Sequence, residues 1–124
     1  MNILITGCTG FIGSNILTKF QNSNKIYIIL RNKKNNKKFK NKNIKIINYK
    51  NYNELNKKIS KIKAELIIHT ATHYAKIHSQ KDLKEFSNSN ILFGNIILEN
   101  LKSMKTKKFI NFSTVWEDYN GIKE

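Results

Sequence analysis

Eleven residues near the start, Ile3-Leu4-Ile5-Thr6-Gly7-Cys8-Thr9-Gly10-Phe11-Ile12-Gly13, limit the fold more than any other part of the chain. An apolar strand runs into a turn with glycines at 7, 10 and 13, and a helix opens at the last of them. Each glycine has its own task. The first lets the chain turn sharply off the strand end, where a Cβ would clash. The second lets the backbone approach a phosphate, and the third lets the new helix pack closely on the sheet. Amides at a helix start have no internal partner and the helix dipole adds positive potential, so a pyrophosphate fits there. The strand before and the amphipathic helix after favour a dinucleotide cradle over a purely structural turn. Gly7, Thr9, Gly10, Phe11, Ile12 and Gly13 are therefore candidate cofactor contacts.

The rest of the chain repeats the strand–helix alternation. Apolar runs suited to buried parallel strands occur at Asn2–Thr6, Lys25–Leu30, Ile44–Ile47, Leu66–His69 and Lys108–Phe112. Helical spacing links Phe11, Ile12, Ile16, Leu17 and Phe20, then Leu55, Ile59 and Ile62. A third, long helix is marked by Phe86, Ile91, Leu92, Ile96, Ile97, Leu98 and Leu101. Such alternation predicts an α/β fold, a three-layer doubly wound parallel sheet. Right-handed crossovers give the strand order 3-2-1-4-5, with a ligand cleft at the C-terminal ends of the strands. Residues 1–124 are expected to form one domain. The Lys/Asn-rich stretch Asn32–Asn43 is a solvated connector, either a mobile loop or a short polar helix.

Composition removes several alternatives. No run of about eighteen apolar residues is present, so no membrane span is expected. The N-terminus has no signal-peptide pattern, and the one cysteine, Cys8, cannot form an internal disulfide. A cytoplasmic location follows as the expectation. The net charge of +15 invites a nucleic-acid reading, but Arg31 is the single arginine and the lysines are spread among Asn and Ile along the whole chain. That bias is what an AT-rich genome imposes on a solvated surface, so nucleic acid is not expected as a partner. Basicity still favours anionic ligands by long-range attraction. His69, His73 and His78 have no Cys or carboxylate spacing around them that would suit a metal, and none is expected.

Thr6-Gly7-Cys8-Thr9-Gly10-Phe11-Ile12-Gly13 has the Thr-Gly-x-x-Gly-x-x-Gly spacing of the extended short-chain dehydrogenase/reductase superfamily, and the chain resembles that group of NAD(P)-dependent nucleotide-sugar epimerases, dehydratases and 4-ketoreductases. The resemblance implies a Rossmann-type cofactor domain and carries further residues with it. At the end of the second strand a carboxylate would bond a ribose 2′-hydroxyl, whereas Arg31 can grip a 2′-phosphate. NADP is thus preferred, with NAD as second choice. Asn48 and Tyr49 stand where the family holds the adenine ring. Ile67-Ile68-His69-Thr70-Ala71-Thr72 is similar to the family's His-Leu-Ala-Ala, so Thr70, Ala71 and Thr72 should pass close to the cofactor. His69 reads as a packed strand-end histidine, with His73 and Tyr74 facing the cleft; this stretch also looks somewhat like 4-ketoreductases of surface-polysaccharide synthesis. Asn90 opens a stretch resembling Asn-Val-x-Gly-Thr-x-Asn-Leu-Leu-Glu and would support the site from mid-helix. Ser113-Thr114 resembles the family's Ser-Ser or Ser-Thr, which places Ser113 at the cofactor and makes Thr114 the candidate catalytic hydroxyl.

Beyond Thr114 the match weakens, because Trp116-Glu117 replaces the usual aromatic-Gly. In the family a Tyr-x-x-x-Lys pair on a later helix relays the proton as hydride moves. Tyr119-Asn120-Gly121-Ile122-Lys123 has the spacing, but it stands too close to Thr114, contains an Asn-Gly turn dipeptide and has too little chain around it for a stable helical turn. The resemblance therefore implies the cofactor-binding part of a longer enzyme, inactive or partial by itself. In the parent reaction, hydride passes between nicotinamide and C4 of a nucleotide-linked sugar. The family's partners would be the dinucleotide, the nucleotide sugar and a second copy of the chain in a homodimer. The rival reading is a non-catalytic NADP-binding sensor or partner module.

Overall fold

Five strands form where β-branched and other apolar residues run together, because branching at Cβ suits a pleated, buried surface. The computed structural model describes residues 1–31, 33–77 and 79–114. The strands β1 (Asn2–Thr6), β2 (Lys25–Leu30), β3 (Ile44–Asn48), β4 (Leu66–His69) and β5 (Lys108–Asn111) are parallel and lie in the order β3-β2-β1-β4-β5. This is the order the alternation predicts. β1 is central: Leu4 stands opposite Tyr27 on one side and Ile67 on the other.

Successive strand residues face opposite sides of the sheet, so each strand feeds two cores. Leu4, Tyr27, Ile29, Ile47 and Ile67 meet helices α2 (Tyr52–Ile59) and α4 (Phe93–Glu99) through Leu55, Ile59, Phe93 and Ile97. Ile3, Ile5, Ile26, Ile28 and Ile68 face the other way and meet α1 (Phe11–Phe20) through Leu17, Ile16 and Phe20. Helices on both faces make the three layers of a Rossmann-like fold. Each apolar side chain fully buried in this way contributes about 1.5–3 kcal/mol.

One connection takes one of its two expected forms, and another differs from the sequence expectation. The stretch Asn32–Asn43 holds a 3-10 helix at Lys33–Lys38, the polar helix of the two alternatives. The long third helix begins earlier, at Gln80, and ends at Glu99: α3 (Gln80–Phe86) passes through a π-helical segment, Ser87–Leu92, into α4. A π turn adds a residue and breaks the 3.6-residue count within it. Ile91 and Leu92, expected inside by 3.6-residue spacing, are exposed, while Phe93 and Ile97 carry the packing. Trp116, Glu117 and the Tyr119–Lys123 spacing lie outside the described residues, as do Asn32 and His78.

Ile67 sits at the centre of the sheet with no exposed surface, whereas Ile77 is 90% exposed. Ile67→Ala should cost about 2–5 kcal/mol in urea unfolding and Ile77→Ala less than about 0.5 kcal/mol. Equal losses at the two positions would contradict the assigned core.

Candidate cofactor site

The site is built around the end of β1. Gly7 has φ +72°, and a Cβ there would lie 2.5 Å from Thr70 Oγ1 and 2.8 Å from the Ala71 nitrogen. A Cβ on Gly13 would run into the Gly7 carbonyl. Gly10 is different: its would-be Cβ meets only the Gly7 oxygen, at 3.3 Å, and its outer side is open. Two glycines therefore serve close packing within the protein, and the middle one keeps space free for something else. Gly10 is also the N-cap of α1, and no side chain caps that helix. The first turn of α1 has no acidic residue either. Its amides and dipole remain available to an anion.

What presses β4 against this turn is a buried hydrogen-bond network on Thr6. Its Oγ1 lies 2.8 Å from His69 Nδ1 and 3.2 Å from the amides of Thr70 and Ala71, and its carbonyl accepts from Thr70 Oγ1 at 2.7 Å. A hydroxyl has one proton and two lone pairs. Both amides can only donate, so the Thr6 hydroxyl donates to Nδ1, which leaves the His69 proton on Nε2. Burial pushes the His69 pKa below its usual 6.5. Protonation would also set an Nδ1–H against a hydroxyl already filled by two amides. His69 is thus the packed strand-end histidine, its ring 5.7 Å from Phe93 and 6.1 Å from Phe109.

A cleft of about 880 Å³ opens over the C-terminal ends of β1, β2 and β4. It gathers Gly7, Thr9, Gly10, Phe11, Ile12 and Gly13 from the turn, Arg31 from the end of β2, Tyr49 from the end of β3, and Thr70, Ala71, Thr72 and Tyr74 after β4. Phe11 and Tyr74 are 86% and 80% exposed, so apolar ring surface stands free at the mouth. Five further sequence-derived residues do not line it. The Asn48 amide donates to the Leu30 carbonyl at 3.1 Å and pairs with Asn36, which ties β3 to β2. Asn90 accepts from the His73 amide at 2.6 Å and donates to the His73 carbonyl at 3.0 Å, clamping the loop after β4. Ser113 and Thr114 follow β5 and are exposed. His73 turns away to Asp82, 3.3 Å from Nε2, in the capping box of α3.

The cleft also contains residues that spacing did not reveal. Tyr52 and Phe93 flank Tyr49, with ring centroids at 5.9 and 6.5 Å. Burial pushes the Tyr49 hydroxyl up to about 12, which keeps it protonated. Burial likewise pushes the Cys8 thiol up to about 12 and makes it unreactive. Ser89, in the π-helical segment, lines the cleft with a buried Oγ that has no hydrogen-bond partner. The run Ser87-Asn88-Ser89-Asn90 gave no signal in the sequence; Ser89 is buried within the π-helical segment. Among the described residues, no group of His, Cys, Asp and Glu could hold a metal, and no helix is long and apolar enough to cross a membrane.

The NAD dependent epimerase/dehydratase family matches residues 3–121. The chain belongs to that family. The dTDP-D-glucose 4,6-dehydratase of Dictyostelium discoideum is 37% identical over 123 residues, which cover 90% of this chain and 28% of that protein. The chain thus spans under a third of that relative. The Bordetella bronchiseptica enzyme WbmH, solved in complex with NAD+, superposes with a TM-score of 0.78 at 20% identity, over 98% of this chain and 42% of that one. ElxO with NADP bound gives 0.75 at 20% identity, over 92% and 55%. These two likenesses establish the fold.

Two measurements test the network. Thr6→Val keeps the branched shape but strands two amides, and should cost about 1–3 kcal/mol in urea unfolding, with Thr6→Ser close to wild type. His69 binds its proton more weakly folded than unfolded, so its stabilising contribution is complete above pH 6.5 and is lost as pH falls below that value. Unfolding midpoints should therefore drop between about pH 7 and pH 5, and His69→Asn should flatten that slope. An unchanged slope would remove His69 from the account.

Proposed function

We propose that residues 1–124 are the dinucleotide-binding domain of a nucleotide-sugar epimerase, dehydratase or 4-ketoreductase, and that it takes NADP(H) ahead of NAD(H). The observation that carries the reading is the uncapped, open-sided start of α1 at Gly10, set in a cleft with Arg31 at its far end. The residues present fit such a cofactor. Amides after Gly7 and at the start of α1 would hold a pyrophosphate, with Thr9, Phe11, Ile12 and Gly13 around it. Arg31 would hold a 2′-phosphate. Tyr49 and Tyr52 offer ring faces to an adenine, with Asn48 bracing the strand end from which Tyr49 projects. Thr70, Ala71 and Thr72 form the wall that their small side chains leave low, and Asn90 holds that wall in place. The orphan Oγ of Ser89 supplies a hydroxyl where a polar ligand atom would satisfy it.

When bound, the nicotinamide would exchange hydride with C4 of the sugar. In this reading Thr114 orients the reacting sugar oxygen from the end of β5, Ser113 stands at the cofactor, and a proton-relaying Tyr/Lys pair comes from other parts of the enzyme. The free, buried Cys8 accords with a reducing, cytoplasmic setting. The relative named for dTDP-D-glucose supports a nucleotide-sugar substrate, and surface-polysaccharide synthesis is the setting proposed for it.

Thermal unfolding with each cofactor tests the assignment. Ligand at about 100 times its Kd adds about 2.7 kcal/mol of stability, a shift of several degrees. NADPH should raise the Tm more than NADH at equal concentration, and Arg31→Ala should erase the difference. Equal shifts in the unaltered chain would sink the NADP preference, and no shift with either would sink the dinucleotide reading.

A further inference from the structure

Arg31 does not stand alone at the end of β2. Its Nη1 donates to Glu85 Oε2 at 2.9 Å, and the two side chains are 57% and 46% exposed. Glu85 comes from α3, so the pair crosses from the sheet to the opposite helix. Both charges act on the hydroxyls of Tyr49 and Tyr52, the guanidinium lowering their pKa and the carboxylate raising it, beneath the larger effect of burial. The pair therefore sits beside the tyrosine-lined end of the cleft. A carboxylate on the single arginine is not the default in a chain with 8 acidic and 23 basic residues.

We propose that Glu85 is a specificity-determining residue of this site: its carboxylate occupies one arm of the Arg31 guanidinium and weakens binding of a 2′-phosphorylated dinucleotide relative to one with a free 2′-hydroxyl. The inference rests on the cofactor reading of the cleft. A phosphate gains most from arginine by taking two N–H donors of the fork at once. Glu85 already holds Nη1, so a phosphate arriving at Arg31 must displace the carboxylate or accept a like charge a few ångströms away. A 2′-hydroxyl carries no charge and meets no such opposition. Arg31 thus sets a preference for the phosphate, and Glu85 restrains it.

Calorimetric titration of the purified chain with NADPH and with NADH, for wild type and Glu85→Gln, tests this directly. The amide keeps the length of the side chain and removes its charge. NADPH should bind about fivefold more tightly to the variant, the upper range for an exposed ion pair, and NADH should change less than about twofold. The gain should shrink at high salt and vanish when Arg31→Ala is added. If both cofactors shift together, or NADPH does not shift, the role of Glu85 is wrong and the cleft keeps its cofactor reading. If the folded wild-type chain binds neither, the cofactor reading fails and this proposal with it.

Discussion

The Thr6 hydroxyl, where β1 and β4 end side by side, accepts two amides and donates to an imidazole, so three bonds meet on one buried oxygen. Those bonds fix how far Thr70 and Ala71 stand from Gly7, and that distance excludes any side chain at position 7. With Gly7 seated, its carbonyl excludes one at Gly13, and α1 can begin only where it does. The open start of α1, on which any anion site depends, is thus a consequence of a polar contact inside the sheet. Buried polar networks are costly when half satisfied, and here the proton and both lone pairs of the Thr6 hydroxyl are used, which makes it a rigid reference for the cleft.

The same logic separates the glycines that look alike in sequence. Gly7 and Gly13 are demanded by the protein's own atoms, Gly10 by empty space. A phosphate cradle needs both kinds: two tight approaches to place the amides and one vacancy to admit the ligand. Long-range attraction from the lysine-covered surface would bring anions near, but only the vacancy and the oriented amides give them a place to stop.

Local pattern was enough for the elements that local chemistry decides. Apolar runs marked all five strands to within a residue of their ends, and the alternation with helices carried the order β3-β2-β1-β4-β5. The turn at Gly7–Gly13 was legible because its spacing is itself the geometry. The third helix was less so. A 3.6-residue count assumes an unbroken α-helix, and it fails within the π segment at Ser87–Leu92, where Ile91 and Leu92 are exposed and Ser89 is buried. Glu85 escaped for another reason: its partner, Arg31, lies 54 residues away in sequence.

Asn90 shows how spacing can find a residue and leave its work open. Its place in the helix suggested support for the site, and its side chain meets the loop after β4 at both the amide and the carbonyl of His73. It acts on the backbone that forms the cleft wall and stands outside the cleft itself. The π turn makes this reach available, since the extra residue lets Ser89 enter the cleft while its neighbour Asn90 turns to the loop. One local irregularity therefore does two things at once: it supplies a buried hydroxyl and anchors the loop opposite the glycine turn. Helix and turn then hold the two walls of the cleft from opposite sides, each through contacts that a regular α-helix or an ordinary tight turn would not provide.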